Sequence, residues 1–226
     1  AEPIILTPAH SGTQKKPFTI RPYSEEQVTV KGSAVIKGLV WQEYRDGIMC
    51  APIGDNTVGD FDQLFVNGQK QIRARYPNYN PAVRHFNGYS PDAISIERNK
   101  HWKNPAGGIV HAMHRHEWGG YQYEITGRGE DGELTIKGGY QNNRQMGMHT
   151  DYRMVENIFE ELDSPGEWYY NTAERILYYY PAPDTDITTA LFEVPQTESL
   201  FILRGSEECP VKFVEISGLE LQHTLY

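Results

Sequence analysis

Short apolar segments separated by turn residues dominate the beginning of the chain. Apolar side chains alternate or cluster at residues 4–6, 18–20 and 28–30, and prolines and glycines lie between these segments. Strands of about three residues at this spacing are shorter than those of an ordinary β-sandwich. They are typical of the coils of a parallel β-helix, in which stacked short strands bury the interior.

The end of the chain repeats this pattern. Residues 200–203, 210–216 and 219–221 again give a strand, a small-residue turn, a proline-led strand, a turn and a strand. The order matches that of the first thirty residues, which indicates a weak two-copy repeat. We therefore predict that both segments are coils of one solenoid and that the sequence between them is an insertion.

The insertion has longer elements with antiparallel signals. Asn67-Gly68 supplies the two positive-φ residues of a type I′ turn and predicts a hairpin between residues 62–66 and 69–74. Apolar alternation predicts further strands, at 93–97, 108–118, 121–126, 133–137, 168–170 and 176–180. Val155, Ile158, Phe159 and Leu162 fall on one helical face, which predicts a short helix. The fold class is thus all-β, with a sandwich-like insert and one helix.

These patterns predict three segments. Residues 1–37 form an N-terminal β-helix coil, 38–198 the inserted domain, and 199–226 a return to the β-helix. One or two coils cannot bury their own interior, because each coil is covered by its neighbours. We therefore expect either more chain after Tyr226 or a partner that covers the open end.

Composition narrows the classes of partner. Lys and Arg number 21 against 30 Asp and Glu, a net charge of −9, so the chain is a poor ligand for nucleic acid. No apolar run is long enough for a membrane-spanning helix. Cys50 and Cys209 are expected to be free, buried thiols. No nucleotide or other cofactor motif occurs, and we expect no cofactor.

The densest cluster of chemically active residues is 111–118. On a continuous strand, His114, His116 and Trp118 would share one face, where they could contact a substrate. Two such imidazoles could also hold a metal if His149 or Glu124 supplied a third ligand. The alternative is a set of histidines that are hydrogen-bonded within a β-sandwich or partly exposed, and we predict no metal site.

A second candidate is the polar loop 138–149. Asn142, Asn143, Arg144 and His149 offer donors and acceptors suited to sugar hydroxyls, although such a loop can equally brace its own backbone. Paired carboxylates, which glycoside hydrolysis requires, do not stand out in the sequence. The acidic residues around Glu160, including Glu156, are interpreted as the solvated face of the predicted helix.

Four segments resemble a known family: 64–69, 73–78, 139–144 and, most specifically, 155–169 (Val-Glu-Asn-Ile-Phe-Glu-Glu-Leu-Asp-Ser-Pro-Gly-Glu-Trp-Tyr). They are similar to bacterial proteins of glycoside hydrolase family 141 and its relatives. The resemblance implies a right-handed parallel β-helix with an inserted β-sandwich, α-L-fucosidase or xylanase-like activity on plant cell-wall polysaccharide, and export to the periplasm or the exterior.

The same resemblance implies that the acidic catalytic groups lie after Tyr226, so it assigns no catalytic residue to this chain. The leading hypothesis is the N-terminal portion of a glycoside hydrolase that acts on polysaccharide or oligosaccharide. The alternative is a non-catalytic carbohydrate-binding or surface-assembly module.

Overall fold

The computed structural model describes residues 2–54 and 58–225. Tyr226, the last residue of the predicted C-terminal coil, lies outside the described residues. The fold is all-β with one short α-helix, Ile96–Asn99 (α1), and two 3₁₀ turns, Pro8–His10 and Phe159–Glu161. No helix in the described ranges has the length and apolar character needed to cross a membrane.

Twenty-two strands make up the sheets of the described chain. The first eleven are Ile4–Leu6 (β1), Phe18–Ile20 (β2), Val28–Lys31 (β3), Ser33–Val35 (β4), Gln42–Arg45 (β5), Ile48–Pro52 (β6), Phe65–Val66 (β7), Gln69–Lys70 (β8), Ile72–Arg73 (β9), Arg75–Tyr76 (β10) and Ile109–His114 (β11). The others are Gly120–Arg128 (β12), Leu134–Gly138 (β13), Tyr140–Gln141 (β14), Arg144–Gln145 (β15), Met148–Glu156 (β16), Glu167–Asn171 (β17), Ile176–Tyr179 (β18), Phe192–Pro195 (β19), Phe201–Leu203 (β20), Val214–Ile216 (β21) and Leu219–Gln222 (β22).

The chain divides into two compact units. Unit 1 comprises Ala1–Gly38, Ile53–Lys70 and Leu191–Tyr226, and unit 2 comprises Leu39–Pro52 and Gln71–Ala190. The division into segments 1–37, 38–198 and 199–226 that we predicted from the sequence remains a prediction.

Parallel pairing joins the two ends of the chain within unit 1. β1 pairs with β20, β2 with β21, and β3 with β22, each in parallel and in the same order along the chain. The two copies recognised in the sequence therefore lie side by side, strand against matching strand. The rest of the unit is a four-stranded sheet in the order β4-β19-β7-β8.

The Asn67-Gly68 hairpin of unit 1 is confirmed. Both residues have positive φ, 50° and 77°, and they join β7 to β8 in an antiparallel pair. The paired strands have only two residues each and are shorter than predicted.

Unit 2 contains two five-stranded sheets, β10-β16-β11-β12-β13 and β5-β6-β18-β17-β9. The predicted hairpin between residues 168–170 and 176–180 is present as β17 and β18. Strict alternation in β11 buries Val110 and Ala112 beside Tyr123 and Ile125 of β12. This core, which Trp102 and Val155 also join, fixes which side chains face away from it.

Two predicted elements are of the wrong type. Val155 lies in β16, which ends at Glu156. Asn157 takes a left-handed φ of 62°, and residues 159–161 form a 3₁₀ turn, so residues 155–162 are not a helix. Val155, Ile158 and Leu162 are buried as predicted and Phe159 is half-buried, but a strand end and a tight turn bury them. Residues 93–97 are not a strand either, because Ser95 accepts a hydrogen bond from the Arg98 N–H and begins α1.

The two cysteines are free, as predicted. Their burial differs from the prediction, since Cys50 is half-buried and Cys209 is exposed. Cys209 lies in unit 1, in the turn that precedes β21, where its N–H is held by the hydroxyl of Ser206 at 3.0 Å.

Candidate functional site

An open cleft of about 410 Å³ lies on unit 2, at the place where β13 leaves the edge of β12. It is lined by Phe86, His111, Gly120, Tyr121, Gln122, Gly139 and Tyr140. Its volume falls within the roughly 300–1,000 Å³ typical of small-molecule sites. None of these seven lining side chains carries a carboxylate, an ammonium or a guanidinium group.

Strand alternation creates the floor of this cleft. His111 lies opposite Gln122 in the antiparallel register, and both face away from the core that Val110 and Ala112 help to form. Gly120 follows on the same face, and a Cβ placed on it would lie 3.5 Å from Phe86 Cε1. Gly120 thus leaves space beside the ring of Phe86. The centroids of the Phe86 and His111 rings are 6.0 Å apart.

His111 is backed by a carboxylate. Its Nε2 is buried 3.2 Å from Oε1 of Glu156, off the axis of a well-aligned hydrogen bond. Arg73 Nη1 lies 3.8 Å from the same oxygen. Burial alone would raise the pKa of Glu156, but His111, Arg73 and Arg75 outweigh it and hold that pKa below its ordinary value. Glu156 is therefore a carboxylate that can orient the His111 ring.

Arg75 holds the wall that carries Phe86. Its Nε donates to the carbonyl of Pro77 at 2.7 Å, Nη1 to that of Phe86 at 2.8 Å, and Nη2 to that of Gly88 at 2.9 Å. All three guanidinium nitrogens are thus used on one loop. Because the side chain is buried in β10, next to the central strands of its sheet, it fixes the loop to the floor.

Two tyrosines of β12 hold the opposite wall. Tyr121 Oη donates to Oε1 of Gln141 at 2.8 Å, and Tyr123 Oη donates to the carbonyl of Met146 at 2.7 Å. The first bond ends on β14, and the second ends on the residue that directly follows β15. Tyr140, the first residue of the hairpin made by β14 and β15, is 64% exposed beside the cleft.

The amide-rich loop, which we predicted to bind sugar hydroxyls, contains a tight turn. Asn142 and Asn143 have φ of 49° and 64° and form the two-residue turn between β14 and β15. Arg144 follows and is exposed. The residues that line the cleft include Tyr140 from this loop but not these three.

His114, His116 and Trp118 lie together, but for a different reason from the one predicted. β11 ends at His114, and a turn with Glu117 at a φ of 59° follows, so the three residues do not alternate along a strand. The turn instead stacks the Trp118 ring on His114, with centroids 4.8 Å apart and planes inclined by 16°. His116 lies 5.4 Å from His114 and is exposed.

Burial separates the residues of this turn. His114 is 2% exposed and Trp118 is 76% exposed. Burial, followed by the charges of His116 and Arg115, lowers the pKa of His114, so its ring is neutral at pH 7. His114 Nδ1 accepts the N–H of His116 at 3.2 Å, which agrees with a neutral ring.

His149 lies beside the same turn. Its ring stacks on Tyr152 at 4.3 Å between centroids, and its Nδ1 accepts the N–H groups of Asp151 and Tyr152. Nε2 lies 3.9 Å from Glu117. Among the residues that the structure describes, no three His, Cys, Asp or Glu side chains are grouped to hold a metal.

Three carboxylates of unit 2 differ from their predicted setting or were not singled out. Glu161, one of the acidic residues around Glu160, is 6% exposed and accepts hydrogen bonds from Arg98 and Trp102. Glu156, predicted to lie on a solvated helix face, is instead half-buried against His111. Glu167, at the start of β17, is 2% exposed, and its Oε2 accepts the N–H groups of Asp163 and Ser164 at 3.2 Å. Burial raises the pKa of Glu167 to about 8, against the lowering effect of those two bonds.

Sequence reasoning missed the cleft itself. His111, Gln122 and Glu156 were not chosen as site residues, although the alternation of residues 109–114 already separates His111 from the buried Val110 and Ala112. Glu156 could have been paired with His111 only after residues 148–156 had been recognised as a strand.

The chain is similar in structure to part of a larger solved protein. The whole chain superposes on part of a solved glycoside hydrolase structure with a TM-score of 0.78 and 24% sequence identity, which shows a shared fold. The chain spans 41% of the length of that protein. No family profile matches the chain. No curated protein sequence matches it either.

Proposed function

We propose that this chain is part of a carbohydrate-active protein of the glycoside hydrolase type. The observation that carries the proposal is the likeness of the entire chain, with both units, to a segment of a larger glycoside hydrolase. The aromatic and amide lining of the cleft supports it, since sugars present both apolar C–H faces and hydroxyl groups.

In this proposal the three parallel strand pairs of unit 1 are two coils of a right-handed parallel β-helix of the family 141 type. β20, β21 and β22 each have one parallel partner in the described chain, and Leu203, Ile216 and Leu221 on these strands are exposed. The remainder of the protein's own chain, or a partner, would cover this surface. The two catalytic carboxylates would lie on coils beyond residue 226.

Unit 2 would then shape the substrate groove. The expected substrate is a plant cell-wall or related polysaccharide, with α-L-fucoside or xylan as the first candidates, and the protein would be exported to reach it. His114, His116, Trp118, Asn142, Asn143, Arg144 and His149 stay predicted contacts for such a substrate.

The test is direct. The natural gene product is incubated with xylan, other cell-wall polysaccharides and an aryl α-L-fucoside, and released reducing sugar or aryl alcohol is measured. Release from at least one of them is expected. If the natural product released nothing from any of these substrates, the hydrolase proposal would be wrong.

A specific observation favours the alternative of a binding module. None of the residues lining the cleft is a carboxylate, and Glu156 behind it is already engaged by His111 and Arg73. Affinity electrophoresis in gels that contain each polysaccharide separates the two functions. Retardation of the protein without any release of sugar would support a carbohydrate-binding module over a hydrolase.

A further inference from the structure

We propose that the cleft between Phe86 and Tyr140 binds an uncharged sugar ring and that His111 and Gln122 form hydrogen bonds with its hydroxyls. This inference rests on the proposed carbohydrate-active function and specifies the class of ligand at this site. It also identifies Glu156 as the residue that positions His111.

The charges around the cleft favour an uncharged ligand. No lining residue is permanently charged, and the carboxylates of Glu124 and Glu156 on the neighbouring strand positions are paired. Glu124, two residues after Gln122, has its carboxylate 3.0 Å from Lys137. Glu156 is held by His111 and Arg73. A uronate or sulfate would meet no lysine or arginine among the lining residues, and desolvating an unpaired charge is costly.

The walls of the cleft suit the apolar face of a sugar. Phe86 is half-buried, and Arg75 holds its backbone carbonyl, so the position of the residue on this wall is defined. Tyr140 stands exposed on the other side, on a hairpin that Tyr121 and Tyr123 hold. Rigid aromatic rings provide contact area at a small cost in conformational entropy, and their hydroxyls remain available for hydrogen bonds.

The floor supplies the polar contacts. Gln122 is exposed and its amide offers both donors and an acceptor. The carboxylate of Glu156 beside Nε2 favours the His111 tautomer with its proton on Nε2. Nδ1 is then the nitrogen left to accept a hydrogen bond from a ligand hydroxyl. The Nε2–Glu156 contact is off axis in the free protein and can align when Nδ1 is engaged.

The experiment titrates the 226-residue chain with neutral xylo-oligosaccharides and cello-oligosaccharides, and with acidic oligogalacturonides, by calorimetry. Tyr140→Ala and Gln122→Ala are the cleft variants. Tyr23→Ala and Gln14→Ala are matched controls, because both residues are exposed on unit 1. We expect a neutral series to bind, each cleft variant to weaken binding about three- to tenfold, and the controls to match the wild type.

A spectroscopic readout tests the role of His111 and Glu156. In a ¹⁵N-labelled chain, the neutral ligand should shift the Nδ1 resonance of His111, and Glu156→Gln should weaken binding and change its pH profile. An unshifted Nδ1 resonance in the presence of bound ligand would remove His111 from the site.

The outcomes separate the two proposals. If no glycan binds the wild-type chain and the natural product has no activity, the carbohydrate function itself is wrong. If a neutral glycan binds but the cleft variants bind it as tightly as the controls do, the function stands and the site is wrong. Tighter binding of the acidic series would overturn the uncharged class of ligand.

Discussion

The backbone of Gly139 lies so close to the ring of Tyr123 that a Cβ at residue 139 would overlap the ring carbon Cε1. Gly139 also has a φ of 65°, which favours glycine. We predict that Gly139→Ala lowers the free energy of unfolding by roughly 2–4 kcal/mol, since it adds overpacking to backbone strain. Urea unfolding measures the change. Gly68→Ala is the matched control, because Gly68 has a φ of 77° but nothing within 4 Å of a Cβ. An equal loss in both variants would contradict the role of the Tyr123 contact.

Arg75 is expected to tolerate no replacement. A lysine ammonium is a point charge and cannot reach the carbonyls of Pro77, Phe86 and Gly88 with the geometry of a guanidinium. We predict that Arg75→Lys costs about 3 kcal/mol of unfolding free energy and weakens any ligand of the cleft. Arg84→Lys, on the exposed part of the same loop, should change neither quantity. Unchanged urea midpoints for Arg75→Lys would show that the loop is held by other contacts.

Glu167 should make the protein less stable in alkali. Its pKa rises from 4.5 to about 8 on folding, so between these values the folded state keeps a proton that the unfolded state has lost. Stability therefore falls as pH rises through this window, at no more than about 1.4 kcal/mol per pH unit. Glu167→Gln should remove this slope in unfolding curves recorded from pH 5 to 9, and the exposed Glu133→Gln should retain it. An identical slope in Glu167→Gln would assign the effect to another group.

His114 should make the protein sensitive to acid. Its pKa is lowered in the folded state, so its contribution to stability is present above the unfolded pKa near 6.5 and is lost as the pH falls. We predict that His114→Gln loses less stability than the wild type between pH 7.5 and 5, because an amide does not take up a proton. His116→Gln, at the exposed neighbour, should follow the wild type. Thermal unfolding at each pH decides between these results.

The parts of the fold that the sequence predicted are governed by local chemistry or by repetition. Asn67-Gly68 has few alternatives to a type I′ turn. The matching order of short strands at the two ends predicted which segments correspond, and β1 and β20 do pair. The spacing of Val155 and Leu162 led to the wrong prediction of a helix, because side chains on a strand end and a 3₁₀ turn can be buried at helical intervals.

The site was harder to predict because it depends on register. His111 meets Glu156 only because β11 and β16 pair with Ile109 opposite Glu156, and a shift of one residue would turn Glu156 to the other face. Nothing local to either strand encodes that alignment. Tertiary packing of the shared core determines it, so the histidine was noticed as one of a cluster but its partner was not.

The pairing of β1 with β20 also determines the order in which the chain can fold during synthesis. The strands of unit 2 find their partners within the part of the chain already made, whereas β1, β2 and β3 wait until β20, β21 and β22 leave the ribosome. Until then Ile4, Ile5 and Phe18 are carried on strands without their parallel partners. β1, β2 and β3 are thus among the last strands of this chain to be protected, and a nascent chain stalled before residue 201 is exposed to aggregation at these strands.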